Sequence, residues 1–288
     1  MYNGSHLEIF HSLINTSLAY GSIGDIDNQI KYNLDALNMA RELFKDNNQH
    51  IATALNYLSI AYGTAGDVDN ELKYCLEAYS MYIKLYDENH PIITECLNNL
   101  AFIYSKKNEY ANKLKCQLKV LQISRNRAPG TDFYVACNLN NLGSTYRALG
   151  DLNNEFKCYS EALAMFQELF QDNHPLVAVT MSNLGLTYDS FGDYKKGLEF
   201  QLKALKLRNE LFDKNHPNVA SSLSLVGMAY KNLCDYPNEL KYQLQALKLY
   251  QKIFNGDHPY LASCLVSSLF FFSIQIGGNN RFRKYKKN

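Results

Sequence analysis

The chain of 288 residues has no C-x-x-C pair, no long apolar run, no large net charge and no catalytic fingerprint. Its seven cysteines (75, 96, 116, 137, 158, 234 and 264) are odd in number, and some share a helix position with Tyr or Phe. That placement fits reduced thiols in a helical core, not a zinc cluster or a disulfide framework. The most apolar stretch, residues 265–276, falls short of the ~20 residues a spanning helix needs. The first residues lack the basic start and small-residue cleavage site of a signal peptide. The expectation is therefore no membrane association and, by default, a cytoplasmic location. Formal net charge is +1, but Arg281, Arg283, Lys284, Lys286 and Lys287 crowd one end. Without them the chain holds 24 basic and 28 acidic residues, a body near about −4 with no basic stripe to meet phosphates. Nucleic acid is excluded as a partner on that ground. No G-x-S-x-G, H-E-x-x-H, Walker loop or dinucleotide fingerprint occurs, so no catalytic residue and no cofactor is assigned.

What is present is a period of 42 residues. Gly24-Asp25, Gly66-Asp67, Gly150-Asp151 and Gly192-Asp193 stand in register, with Asn108-Glu109 and Cys234-Asp235 in the two remaining slots. A tyrosine precedes each slot by four residues: Tyr20, Tyr62, Tyr104, Tyr146, Tyr188 and Tyr230, followed in register by Phe272. A fixed period of tens of residues signals one supersecondary unit stacked on itself. Within each period a first helix starts near His90-Pro91, His174-Pro175, His216-Pro217 or His258-Pro259. Asp or Asn just ahead is expected to cap it, and Pro sacrifices only an N–H that has no helical partner. The stripe Leu97, Leu100, Ala101, Tyr104 makes one helical face, repeated as Leu139, Leu142, Gly143, Tyr146. Its third member is always small (Ser17, Ser59, Ala101, Gly143, Gly185, Gly227), implying close approach of another helix. Glycine then ends the helix, Asp caps a second one, and alanine recurs in it at 36, 78, 162, 204 and 246, with Val120 the exception. In the second repeat this helix is expected from about Asp69 to Leu85. The histidines of the linkers are too far apart along the array for consecutive ones to share a metal, so no metal site is expected.

The pattern Leu-x-x-Leu-Gly-x-x-Tyr, a Gly-Asp turn and then alanine resembles the tetratricopeptide repeat. The 42-residue period, Leu97-Asn98-Asn99-Leu100, Leu139-Asn140-Asn141-Leu142, Asn173-His174-Pro175 and Asp257-His258-Pro259 resemble its kinesin light chain type. The resemblance implies an all-α fold, a right-handed superhelical solenoid of antiparallel helix pairs. On this reading residues 1–276 form a single array of six full pairs plus a C-terminal capping helix at 259–276, and residues 277–288 are a flexible basic tail. One column departs from the family: five residues after the turn glycine stand Gln29, Glu71, Lys113, Glu155 and Glu239, where a small residue is usual and only Gly197 conforms. The expectation is either altered packing of the two helices or a column that reaches solvent.

The resemblance further implies that the first helices line a concave surface that holds a peptide. One column there reads Asn56, Asn98, Asn140, Ser182, Ser224, flanked by Ile60, Phe102, Ser144, Leu186, Met228 and by Asn15, Asn99, Asn141, Asn183. An amide carries both donor and acceptor, so a ladder of them can pair with a peptide backbone while apolar neighbours select side chains. The candidate peptide-binding residues are Asn56, Asn98, Asn99, Phe102, Asn140, Asn141, Asn183 and Leu186. The same asparagines could instead bond to neighbouring helices and serve the scaffold. The carboxylate clamp of chaperone-binding relatives needs Asn directly after the small residue, where this chain has Leu18, Ile60, Phe102, Ser144, Leu186 and Met228. Chaperone-tail binding is not expected. The functional expectation is a protein–protein interaction scaffold for an extended or partly helical segment of another protein. The alternative is a structural or regulatory array that packs on a fused effector domain or self-associates.

Overall fold

Aspartate placed directly after a left-handed residue fixes where five of the six second helices begin among the described residues. In the computed structural model, which describes residues 3–44, 48–128 and 130–254, Gly24, Gly66, Gly150 and Gly192 take φ of 75–82°. The next N–H turns back to the tyrosine carbonyl: Asp25 to Tyr20, Asp67 to Tyr62 and Asp193 to Tyr188, at 2.9–3.0 Å. This closes the first helix in the Schellman manner. The carboxylate then accepts an N–H three residues on, as from Asn70 to Asp67 at 3.1 Å. At Asn28, Asn70, Asn154 and Asn238 the side-chain amide donates to the other carboxylate oxygen at 2.7–2.8 Å. These bonds hold the carboxyls of Asp67 and Asp151 below their ordinary pKa. Where the period relaxes, Asn108 and Cys234 adopt the same left-handed conformation at φ 58° and 59°. Glu109 supplies no capping bond to the backbone.

The described residues form twelve helices: α1 (Asn3–Ser22), α2 (Ile26–Leu43), α3 (Gln49–Ala65), α4 (Val68–Leu85), α5 (Pro91–Lys106), α6 (Tyr110–Arg127), α7 (Phe133–Leu149), α8 (Leu152–Phe170), α9 (Pro175–Ser190), α10 (Tyr194–Leu211), α11 (Pro217–Asn232) and α12 (Tyr236–Ile253). Odd-numbered helices are the first members of the pairs and even-numbered helices the second. The expected capping helix at 259–276 and the basic tail at 277–288 lie outside the described residues. The linkers correct one expectation. At three of them the cap is the histidine itself: Nδ1 of His90, His174 and His216 accepts the N–H of Ile92, Leu176 and Asn218 at 3.1–3.3 Å. Each ring stacks on the aromatic residue four positions back, Tyr86, Phe170 or Phe212, at 4.0–4.1 Å. Pro follows the cap as the first helical residue. Asn48 caps α3 and Asp132 caps α7, in the manner expected of the other linkers.

The described residues divide into two compact units, those up to residue 130 together with 144–149, and 131–143 together with those from 150 on. In the first unit α1 packs on α2, α3 on α4 and α5 on α6, while α2 meets α3 and α4 meets α5. Its core runs through Phe10, Leu37, Leu55, Leu58, Ile93, Leu100 and Ile123. In the second unit α8 packs on α9, α9 on α10, α10 on α11 and α11 on α12, with Val219, Val226, Leu249 and Tyr250 among its core residues. The alanine column is fully buried at all five positions, and Val120 is 1% exposed. The small-residue column is used as the pattern predicts. A Cβ on Gly143 would stand 2.7 Å from the Tyr159 ring, and one on Gly185 would stand 2.7 Å from Gln201. Ser59 uses its place to donate to the Glu71 carbonyl at 2.8 Å.

Most of the column five residues past the turn does not reach solvent, Lys113 being half-buried. Gln29, Glu71, Glu155 and Glu239 are buried. For two of them space comes from the first helix, eight residues earlier: Gly21 lies under Gln29 and Gly63 under Glu71, whereas Arg147 and Lys231 stand at that position ahead of Glu155 and Glu239. In the fifth repeat the exchange runs the other way, and the Asp189 carboxylate fills the space over Gly197. Small and large residues thus trade sides across the hairpin.

Candidate peptide-binding face

The odd-numbered helices carry the candidate residues, and their exposed side chains differ from unit to unit. In the first unit a groove of about 330 Å³ is lined by Ile60 and Thr64 of α3, Glu71 of α4, and Asn99, Phe102 and Lys106 of α5. Phe102 is 63% exposed and Ile60 47%, and both lie in the groove lining. Leu18 occupies the equivalent place on α1 and is also exposed. Phe102 is held from behind: the Lys106 ammonium lies 4.7 Å from its ring centroid, within cation–π range. Lys106 in turn donates to both oxygens of the buried Glu71 carboxylate at 2.9 and 2.8 Å. A buried carboxylate, a lysine and an exposed aromatic ring therefore form one continuous chain of contacts. Asn98 is exposed beside this groove, Asn99 is half-buried in its wall, and Asn56 is half-buried on α3.

In the second unit the asparagines are engaged. Asn140 of α7 accepts hydrogen bonds through Oδ1 from Thr180 Oγ1 at 3.2 Å and from Asn183 Nδ2 at 3.3 Å, both on α9. Asn141 is exposed and Leu186 half-buried. The structure thus brings Asn99 and Phe102 together in one groove, and Asn140 and Asn183 together in an inter-helix bond. The sequence pattern placed all eight in one class because the period reports the column, not the neighbour.

Several ionisable groups are perturbed. Burial, and secondarily His11, lowers the His50 pKa. Burial raises the carboxyl of Asp189, opposed by a hydrogen bond from Asn232, and raises that of Glu239, opposed by Lys231. Burial lowers Lys113, whose ammonium donates to Ser105 at 3.3 Å. Six cysteines lie in the described residues, none of them in a disulfide, and burial pushes Cys75 and Cys96 up to about 12. Such thiols are inert. Lys31, Lys73 and Lys241, in one register of the even-numbered helices, are exposed and sit over the adjacent tyrosine rings at 5.0–5.8 Å. No group of His, Cys, Asp and Glu among the described residues could hold a metal ion, and no described helix is long and apolar enough to cross a membrane.

Family models described as tetratricopeptide repeat match residues 51–92 and 93–128, and residues 134–200 and 191–252, together more than half of the chain. No curated protein matches significantly. Among solved structures, the chain is similar to BtubC (BKLC) from P. vanneervenii, with a TM-score of 0.64 at 22% identity over 81% of this chain and 94% of that one. It is similar to a putative kinesin light chain from Podosopora anserina with a TM-score of 0.62 at 14% identity, covering 71% and 97%. The apo form of RapI gives a TM-score of 0.65 at 12% identity, covering 94% and 85%. At these identities the likeness is one of fold.

Proposed function

The chain belongs to the tetratricopeptide repeat family, whose members are generally non-catalytic scaffolds that bind proteins or peptides, and on that premise we propose that its odd-numbered helices bind a peptide segment of another protein. The observation that carries this reading is the groove of the first unit. It presents Phe102 and Ile60 to solvent beside the amides of Asn98 and Asn99. An exposed aromatic ring braced in a concave site is the kind of residue that anchors binding. The neighbouring amides are placed to pair with backbone N–H and C=O groups of an extended or partly helical segment. In the second unit Asn140 and Asn183 bond to each other across α7 and α9 instead.

Affinity capture from native cells with the wild-type chain and with Phe102→Ser tests the reading. Partners should be lost from the Phe102→Ser capture while the variant keeps its helical content. Retention of every partner would move the binding site off this face. Asn98→Ala combined with Asn99→Ala is expected to weaken capture without changing which proteins are recovered.

A further inference from the structure

Charge is segregated between the two helices of every pair. The even-numbered helices carry four to seven Asp, Glu, Lys or Arg residues each, whereas α3 has none and the odd-numbered helices together have only Glu8, Glu95, Lys106, Arg147, Asp189 and Lys231. Four of these six lie in the last turn of their helix. The two that do not, Glu8 and Glu95, do not line the α3–α5 groove. The groove's own two charges, Glu71 and Lys106, cancel in a salt bridge of 2.8 Å with the Glu71 side chain only 9% exposed. The remaining lining is hydroxyl, amide and apolar: Ser59, Thr64, Asn99, Ile60, Phe102 and Ile103.

We infer that the segment bound at the α3–α5 groove is uncharged over the residues the groove seats, and presents an aromatic or branched aliphatic side chain to Phe102 and Ile60. This rests on the peptide-binding reading above and specifies its ligand. A charged side chain brought into the groove would lose water and find no free counter-charge, because Lys106 is committed to Glu71. Either sign is disfavoured for the same reason. An amide or hydroxyl on the segment finds Asn99, Thr64 or Ser59, and an apolar side chain finds Phe102 and Ile60. Recognition of this kind has no long-range electrostatic component to be screened by salt.

The test is selection of a random peptide library displayed on phage against the full chain, followed by affinity measurement on synthetic copies of the enriched peptides. The expected result is peptides with an aromatic or aliphatic core free of Asp, Glu, Lys and Arg. Their affinity should change less than about two-fold between low and high sodium chloride. It should fall at least about ten-fold, or about 1.4 kcal/mol, with Phe102→Ser or Ile60→Ser. Replacing one core residue of the peptide by Glu, and separately by Lys, should weaken binding in both cases. Because Phe102 is exposed, Phe102→Ser is expected to fold, which circular dichroism and thermal melting check. Peptides rich in one sign of charge, salt-sensitive yet still lost with Phe102→Ser, would overturn the uncharged ligand and leave the groove reading standing. Enrichment of no peptide that responds to Phe102→Ser would overturn the groove reading and this inference with it.

Discussion

At the scale of single residues, two positions invite a test because they break the repeat rule. Cys234 takes the left-handed conformation that glycine takes at four of the six turns, at φ 59°. A side chain with a Cβ costs roughly 1–2 kcal/mol there. Cys234→Gly is therefore expected to stabilise the second unit by about 1 kcal/mol after the entropy cost of glycine, read as a higher midpoint in thermal or urea unfolding. Asn108→Gly should give less, since asparagine tolerates this conformation. The second position is Lys106. Removing it as Lys106→Met leaves the Glu71 carboxylate buried without its counter-charge. A fully buried pair would lose ~3–5 kcal/mol, and the partial exposure of Lys106 brings the expected loss to roughly 2 kcal/mol. Adding Glu71→Gln should recover most of it in a double-mutant cycle, whereas a purely steric role for Lys106 predicts no recovery.

Elements in this chain begin and end where polar side chains close off their backbones. Three of the odd-numbered helices start on an imidazole acceptor backed by a stacked aromatic ring. His90→Ala, His174→Ala and His216→Ala should each cost about 1 kcal/mol by denaturant titration, and His216→Asn should cost little because Asn is a strong cap. Element positions were legible in the sequence for this reason: turns and caps are local chemistry. The second helix of repeat two, read as Asp69–Leu85, spans Val68–Leu85. The capping role of the histidines was not legible, since Asn or Asp one residue earlier is the commoner cap. Nor was the exchange of bulk between Gly63 and Glu71, which lie eight apart on opposite sides of a turn. A column read alone gives Glu71 as an anomaly; read with its partner, it fills a space. The candidate site was half legible for the same reason. Period and residue type located Asn99 and Phe102 on a first helix, but only packing distinguishes Asn99 in a groove from Asn140 bonded to Asn183.

Across the whole molecule, the buried ionisable groups give the two units opposite responses to acid. His50, in the first unit, has a folded pKa below its unfolded value of about 6.5. Its contribution is present in full above that value and is lost as pH falls through it. Asp189 and Glu239, in the second unit, have folded values above their unfolded ones. Their contribution is fully present only below the unfolded values near ~4 and is lost as pH rises through the folded values. Hydrogen exchange corrected for intrinsic rates should therefore show weaker protection around α1 and α3 at pH ~5 than at pH ~7, and stronger protection around α9 to α12. Asp189→Asn should stabilise the second unit at neutral pH and flatten its response. Below pH ~4 the aspartate caps at 67, 151 and 193, whose pKa values are lowered by their hydrogen bonds, protonate and both units weaken. The exchange of bulk across three of the hairpins also bears on inheritance. A genetic crossover at a Gly-Asp turn would join one repeat's first helix to another's second, setting Asp189 against a glutamate or Gly63 against Gly197. One splice buries two like charges and the other leaves a hole. A crossover in a His-Pro linker keeps every matched half together. The heritable module of this array is thus the hairpin bounded by its linkers, for the three repeats whose halves match in bulk, 21 with 29, 63 with 71 and 189 with 197.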